Sequence, residues 1–315
     1  TQTVNIGVPQ GSVLGPLLFL LYINDFQFVS NELHAIIYAD DTNLFLAGDN
    51  IDILCNTLNI ELKKVSSWFA CNRLKLNIAK TSCMLFKPKN KYVNITDIDI
   101  CIDNTKIPLV HSTTFLGVVL DDKLTWKDHI NNVACKISQV IGALNRLKKD
   151  LPHNILINIY QSMIMSYLSY CNIVWGNCAS THLNRIFLLQ KRAMRIITGS
   201  APLSHTDPLF QKVSVLKVHD INKLQIANFM FSYLHKLIPL FLDDSFKQNC
   251  TVVPYNTRQS NHIQIPNFNY EFSRSTIMYS GPKLWNSLES ELQNCRSLSS
   301  FKRNYKLKLI ALYTQ

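Results

Sequence analysis

The feature that most constrains this chain is Tyr38-Ala39-Asp40-Asp41, two adjacent carboxylates at the end of a short apolar run. His34 to Tyr38 reads as a buried strand and Thr42 to Leu46 as its partner. Ala39, Asp40 and Asp41 then fall at or beside a hairpin turn, where the acids can point into a cleft. Two carboxylates about 4 Å apart repel by roughly 4 kcal/mol at an effective dielectric near 20. A divalent cation removes that conflict, and hard oxygen ligands suit Mg²⁺, which also accepts phosphate oxygens. An ordinary turn is the other reading, since Asp is favoured there for its local hydrogen bonds. The tetrapeptide alone does not separate the two.

The stretch upstream separates them. Gly7-Val8-Pro9-Gln10-Gly11-Ser12-Val13-Leu14-Gly15-Pro16-Leu17-Leu18-Phe19 runs directly into a helix expected to end near Asp25. Gly11 lets a ligand come close to the backbone, and Pro16 suits a first helical turn, where its missing N–H costs nothing. Pro9-Gln10-Gly11, then Gly15-Pro16-Leu17, then Tyr38-Ala39-Asp40-Asp41 resemble the reverse transcriptase palm. With Tyr22-Ile23-Asn24-Asp25 added, the wording resembles jockey-like retrotransposons that lack long terminal repeats. Two ordered motifs at the expected spacing are far more specific than one short match.

Charge is divided unevenly along the chain. Residues 1–62 carry no Lys or Arg and seven acids, from Asp25 to Glu61. All 32 basic residues fall in 63–315 against the 14 remaining acids, a formal +18 within an overall +11. An acidic, metal-holding end followed by a basic body suits a protein that works on polynucleotides; a solvated basic surface is the bland alternative. Hydrophobic content of 47% argues against disorder. Nine scattered cysteines without a CxxC pair fit reduced thiols. Cys171, Cys178 and His182 match no standard metal spacing, so buried packing is expected for them. Pro16 to Ile23 is shorter than the ~20 apolar residues of a membrane span, and polar residues interrupt Ile155 to Trp175. Thr1 is no initiator Met and the first motif begins almost at once, so a fragment is expected.

The remaining elements follow from periodicity. Asn50 to Phe69 places Ile51, Leu54, Leu58, Leu62, Val65 and Trp68–Phe69 at helical spacing. A strand is expected over Ser82 to Phe86 and a hairpin over Ile98 to Val110, turning at Asp103-Asn104. Thr114 to Asp121 reads as one strand containing a Gly. A helix is expected from an N-cap at Thr125 to about Lys149. A second runs from Ile155 to Trp175, and a third from Leu183 to Ile197, closed by Gly199. Ile221 to Leu237 reads as helical, Asp243 to Ser273 as irregular, and Ser297 to about Leu312 as a basic helix. The fold class is therefore α+β.

The resemblance implies a division into a partial palm (1–124), a helical thumb (125–200) and a helical or irregular C-terminal region (201–315). It implies a two-Mg²⁺ nucleotidyl transferase, with Asp40 and Asp41 as metal ligands. Gln10, Gly11, Tyr38 and Ala39 would line the nucleotide pocket. Lys80, in Asn77-Ile78-Ala79-Lys80-Thr81, would approach the triphosphate, and Phe115, Leu116 and Gly117 would form the primer grip. Lys80 as a solvated loop residue and Phe115 and Leu116 as core residues stay open beside those roles. Arg185, Lys191, Arg192 and Arg195 would contact nucleic acid, with Ile186, Leu189, Ala193 and Ile197 facing other helices. The implied partners are an RNA template, a DNA primer and deoxynucleoside triphosphates, in an intracellular protein. Family members also need a third carboxylate, on a strand preceding the first motif here. The isolated chain is therefore expected to be inactive or nearly so, and the rival reading is a non-catalytic nucleic-acid-binding remnant.

Overall fold

A computed structural model of the chain describes residues 11–87, 98–239, 242, 245–249 and 262–314. Gln10 lies outside these residues, as does part of the stretch 243–273 expected to be irregular. The contacts divide the chain into two units, 1–113 and 114–315. Helices and small antiparallel hairpins alternate along both, an α+β composition. No helix of the described residues is long and apolar enough to cross a membrane.

The first unit is organised by one long helix. Helix α1 (Gly15–Ile23), with Pro16 in its first turn, passes into a 3₁₀ turn over Asn24–Phe28. Strands β1 (His34–Tyr38) and β2 (Asp41–Phe45) pair antiparallel, with Ala35 opposite Leu44 and Tyr38 opposite Asp41. Helix α2 (Ile51–Cys71) starts at Asn50, whose Oδ1 accepts from the N–H groups of Asp52 (2.8 Å) and Ile53 (3.2 Å). That satisfies two donors that a helix start otherwise leaves unmet. The apolar stripe read from the sequence then serves two clusters. Val65 and Phe69 pack with Ile23, Phe26 and Leu33, while Leu62 packs with Ile98, Ile100, Ile102 and Ile107. Trp68 meets Phe26 edge-on at 5.1 Å, and its indole N–H donates to Asp25 at 3.4 Å.

Two sequence readings are corrected in this unit. Strand β1 is half-buried rather than buried, because Ala35 and Ile37 turn inward while His34, Ile36 and Tyr38 stay exposed. Ser82 to Phe86 does not form a strand; a single parallel bridge joins Cys83 to Leu109. The hairpin after it is shorter than expected, with β3 (Cys101–Ile102) and β4 (Thr105–Lys106) flanking Asp103 (φ 48°) and Asn104 (φ 64°). Both turn residues are left-handed, which matches a type I′ turn and its preference for Asp and Asn.

The second unit opens with β5 (Ser112–Phe115) and β6 (Val118–Asp121). The single strand expected over Thr114 to Asp121 is in fact a hairpin, since Leu116 (φ 46°) and Gly117 (φ 79°) reverse the chain. Helix α3 covers Lys127–Leu147. Thr125 is not its N-cap. The cap position falls one residue later, at Trp126; Asp121 holds the loop before it, its carboxylate accepting from the N–H groups of Lys123, Thr125 and Trp126 and from the Thr125 hydroxyl, while the Thr125 hydroxyl oxygen accepts from the Lys127 N–H at 3.4 Å. Trp126 is left with φ 64° at the helix entry.

The helix expected over Ile155 to Trp175 is broken into pieces. Helix α4 (His153–Ile159) enters a π-turn over Tyr160–Ile164, continues as α5 (Met165–Ser169), and stops before α6 (Asn172–Trp175). The Ser162 hydroxyl bonds the carbonyls of Asn158 and Ile159, competing with the regular ladder. At the break Cys171 is left-handed (φ 49°), and the Trp175 indole and Gln225 amide satisfy the carbonyls of Tyr170 and Ser169. Helix α7 (Ser180–Thr198) closes at Gly199 as expected, three residues earlier at its start than the reading from Leu183.

Helices α8 (Asp207–Val213), α9 (Val218–Leu234), α10 (Glu271–Ser275), α11 (Ile277–Asn286), α12 (Ser290–Gln293) and α13 (Leu298–Ala311) complete the unit. The helix read over Ile221 to Leu237 thus sits three residues earlier at both ends. One continuous core runs from Val118 through Trp175 and Phe231 to Tyr313, so the helices of 125–200 and of 201–315 are packed together. Gly281 is at a close approach within it: a Cβ there would lie 2.6 Å from the Met230 sulfur. The bare glycine is what lets α11 press against α9.

Candidate functional site

The two carboxylates sit at the tip of the first hairpin. Because Asp41 already pairs with Tyr38, the turn consists of Ala39 and Asp40 alone. Ala39 has φ 51°, the sign that primed hairpin turns demand at their first position and that glycine ordinarily supplies. A left-handed alanine costs roughly 1–2 kcal/mol. Asp40 follows it in the turn and Asp41 opens β2, both exposed. Among the described residues neither carboxylate takes part in an ion pair. The hairpin's outer face carries Ile36 (41% exposed), Tyr38 (63%) and Phe45 (44%), an apolar surface around an anionic tip.

The other residues expected at the nucleotide are arranged less tightly. Gly11 has φ 88° and open space around the position of a Cβ, so backbone approach from that side is unobstructed. Lys80 is exposed in a 3₁₀ turn over Ile78–Lys80, set by the Lys80 N–H donating to the Asn77 carbonyl at 3.0 Å. The described residues hold no group of three or more His, Cys, Asp or Glu side chains placed to bind a metal ion. The donor chemistry of the hairpin tip nevertheless fits a hard cation, since Mg²⁺ is usually held by one or two carboxylates with water and substrate phosphates. Glu61 is buried on α2 and bonded by Lys64 at 2.6 Å, which pulls its carboxyl below the usual range; it serves packing on the helix.

In the second unit the β5–β6 turn is held from one side. The Tyr170 hydroxyl donates to the Leu116 carbonyl at 2.6 Å, and a Cβ on Gly117 would meet the Tyr170 ring at 3.5 Å. Phe115 and Leu116 are half-buried. The four cations of α7 divide into two pairs. Arg185 is hydrogen-bonded to the Asn131 side chain and Lys191 lies 4.4 Å from the Phe187 ring centre. Arg192 and Arg195 instead line a groove beside Lys148 and Lys149, with the Arg195 Nε–H donating to the Ser204 carbonyl at 3.0 Å. Ile186, Ala193 and Ile197 are buried as the stripe requires, Leu189 is half-buried, and Gln190 and Met194 join them.

Residues 1–120 match the family described as reverse transcriptase (RNA-dependent DNA polymerase). The chain is 28% identical over 251 residues to the RNA-directed DNA polymerase from mobile element jockey of Drosophila melanogaster, covering 75% of this chain and 26% of the relative. It is 25% identical over 232 residues to the probable RNA-directed DNA polymerase from transposon X-element of the same species, covering 70% and 25%. A Pol polyprotein from the type-1 retrotransposable element R1 2 of Nasonia vitripennis is 24% identical over 183 residues, covering 54% of this chain and 43% of the relative. The chain thus spans about a quarter of the length of the jockey and X-element relatives. No solved structure matches it.

The adjacent acids singled out in the sequence lie together and exposed at the tip of the first hairpin. What sequence reasoning missed is the partnership between α3 and α7. Lys148 and Lys149 read as decoration at the end of a helix, yet they share a groove with Arg192 and Arg195. Their only sequence signal is a Lys-Lys pair shortly before Pro152, which marks a helix end and says nothing of a neighbour 43 or more residues away.

Proposed function

We propose that the parent protein is an RNA-directed DNA polymerase of a jockey-like element, and that this chain supplies the motif-bearing part of its palm (1–124), its thumb (125–200) and a C-terminal region (201–315). The observation that carries this reading is the pair of exposed, adjacent carboxylates on a strained hairpin turn inside the reverse transcriptase match.

In this reading Asp40 and Asp41 hold Mg²⁺, with Asp40 the direct ligand. Held by these two carboxylates, Mg²⁺ would supply activation of a primer 3′-OH and neutralisation of charge on the transferring phosphate. The chain's own residues do the positioning. Ala39 keeps the turn low beneath the primer end, since its methyl group is the smallest side chain. Gln10, Gly11 and Tyr38 border the nucleotide, Gly11 through backbone that a side chain would otherwise cover. Lys80 approaches the triphosphate and gives a proton to the departing pyrophosphate. The Leu116–Gly117 turn, braced by Tyr170, fixes the primer strand through its backbone. Arg185, Lys191, Arg192 and Arg195 face the template–primer on the thumb. The substrates are an RNA template, a DNA primer and deoxynucleoside triphosphates, inside the cell.

A third carboxylate belongs to a part of the parent beyond this chain, so the 315 residues alone incorporate little or no nucleotide. The test is primer extension on poly(A) with Mg²⁺, using a longer parent protein that carries that acid. Incorporation that disappears in Asp40→Asn supports the reading. No incorporation by the longer protein overturns it in favour of a nucleic-acid-binding remnant.

A further inference from the structure

We infer that the groove between the C-terminal ends of α3 and α7 seats the phosphate backbone of one nucleic-acid strand, using Lys148, Lys149, Arg192 and Arg195. This deepens the thumb reading above and rests on it for the identity of the ligand as nucleic acid. The groove measures about 890 Å³. That is the scale of a single small-ligand site, roughly 300–1,000 Å³, enough to take a few linked phosphates of one strand.

Three observations carry the assignment. First, four cations from two helices converge on one concavity while no Asp or Glu lines it. None of the four is in an ion pair among the described residues. Lys148, Lys149 and Arg192 are exposed, so their charge is available to an incoming anion. Second, the cations exceed what the local backbone calls for. Helix C-termini carry about half a negative charge each and favour a basic residue in the last turn. Lys148, Lys149 and Arg195 at two such ends answer that need, but Arg192 lies nearly a turn earlier and adds charge without a carbonyl end to neutralise.

Third, the lining tells phosphates from bases. No Phe, Tyr or Trp faces the groove; its floor is aliphatic, with Leu151, Leu156 and Ile197. Single strands held through their bases need aromatic platforms worth about 1–3 kcal/mol per base; the one ring lining this groove, His153, is tied through its Nδ1 to the Ile197 carbonyl at 2.7 Å. The backbone is the part of a strand it can hold. The same split explains the division along α7: Arg185 and Lys191 are occupied by Asn131 and Phe187, and their charges stand apart from the groove.

The test uses the 315-residue chain and a labelled single-stranded oligonucleotide, with binding followed by anisotropy between about 50 and 200 mM salt. Lys148→Gln/Lys149→Gln, and separately Arg192→Gln, should weaken binding, the double variant by about tenfold at the lower salt. Each lost contact should reduce the log–log salt slope by about 0.7 on a single strand. Lys302→Gln/Arg303→Gln, at exposed positions of α13 away from the groove, removes as many charges as the lysine pair and should leave affinity and slope near those of the unmodified chain. Circular dichroism on every variant checks that the fold is retained; if the lysine variant unfolds, Arg192→Gln alone decides. Equal losses in the lysine pair and the Lys302/Arg303 pair overturn the groove in favour of diffuse charge, and leave the thumb reading standing. A parent chain that binds neither strand nor duplex at low salt overturns both.

Discussion

The two units hold their functional residues in opposite ways. In 1–113 the carboxylates ride on a two-stranded hairpin whose inner face meets a small cluster and whose outer face is open. Helix α1 beside it in sequence leaves Leu17, Leu20 and Leu21 more than half exposed. In 114–315 the cations stand on helices rooted in one core with many side chains fully buried, among them Trp175, Tyr160, Phe231 and Phe301. A lone hairpin is marginal in water, so the acidic tip is positioned by turn geometry, whereas the basic surface is positioned by packing. Chemistry on the first should therefore be sensitive to single backbone or charge changes, and binding on the second to losses in the core.

The largest expected effect breaks the acidic side. In a polymerase-competent parent, Asp40→Asn should lower nucleotide incorporation by about 10²–10³-fold or more, the scale of losing one preorganised electrostatic group. Primer-extension rates measure it, and near-parent rates would remove Asp40 from the site.

Next comes the core of the basic side. Phe301 is fully buried, 4.9 Å from the Phe231 ring and 5.9 Å from Tyr305. Phe301→Ala should cost about 3–5 kcal/mol, read from chemical denaturation. Hydrogen exchange should show α3 and α7 weakened together with α13, because they share one core. Protection lost from 201–315 alone would split that unit in two. By contrast Leu21→Ala, at an exposed position of α1, should shift stability by less than about 0.5 kcal/mol.

Smaller effects test the two turns. Gly117→Ala places a side chain at φ 79° with its Cβ 3.5 Å from Tyr170, and should cost about 1–2 kcal/mol. Ala39→Gly relieves a left-handed alanine and should be neutral or stabilising by about 1 kcal/mol. Thermal melting of both variants compares a turn that needs its glycine with one that does without.

The smallest is a pH effect confined to the basic side. His129 is buried, its Nδ1 accepts from the Val119 N–H at 3.3 Å, and its Nε2 has no partner among the described residues. Burial, and secondly the Lys136 charge, hold its pKa below the ordinary imidazole value. The unfolded chain therefore binds the proton more readily. Its contribution to stability is intact above the ordinary value near 6.5 and is lost as pH falls below it toward the folded pKa. Melting temperature should drop between neutral pH and pH 5, and His129→Gln should flatten part of that drop; an unchanged profile removes His129 as its source.

Much of the architecture was legible in the sequence wherever one element carries its own signal. The apolar run that ends at Tyr38-Ala39-Asp40-Asp41 placed the hairpin, Asn50 and a seven-position apolar stripe placed α2, and Gly199 closed α7. These rest on backbone periodicity and capping, which act over a few residues. The structure decided what depends on partners distant in sequence. The start of α3 moved one residue on, to Trp126, because the buried Asp121 carboxylate fixes the loop before it through the N–H groups of Lys123, Thr125 and Trp126. Ile155 to Trp175 broke because Trp175 and Gln225 could bond the carbonyls exposed at the break. Four similar cations on α7 became two kinds because Asn131 and Phe187 lie beside one pair and Lys148 and Lys149 beside the other. A sequence specifies which groups exist and their local conformation; which of them meet is set by packing of the whole chain, where burial rewards only the arrangement that leaves fewest polar groups unpaired.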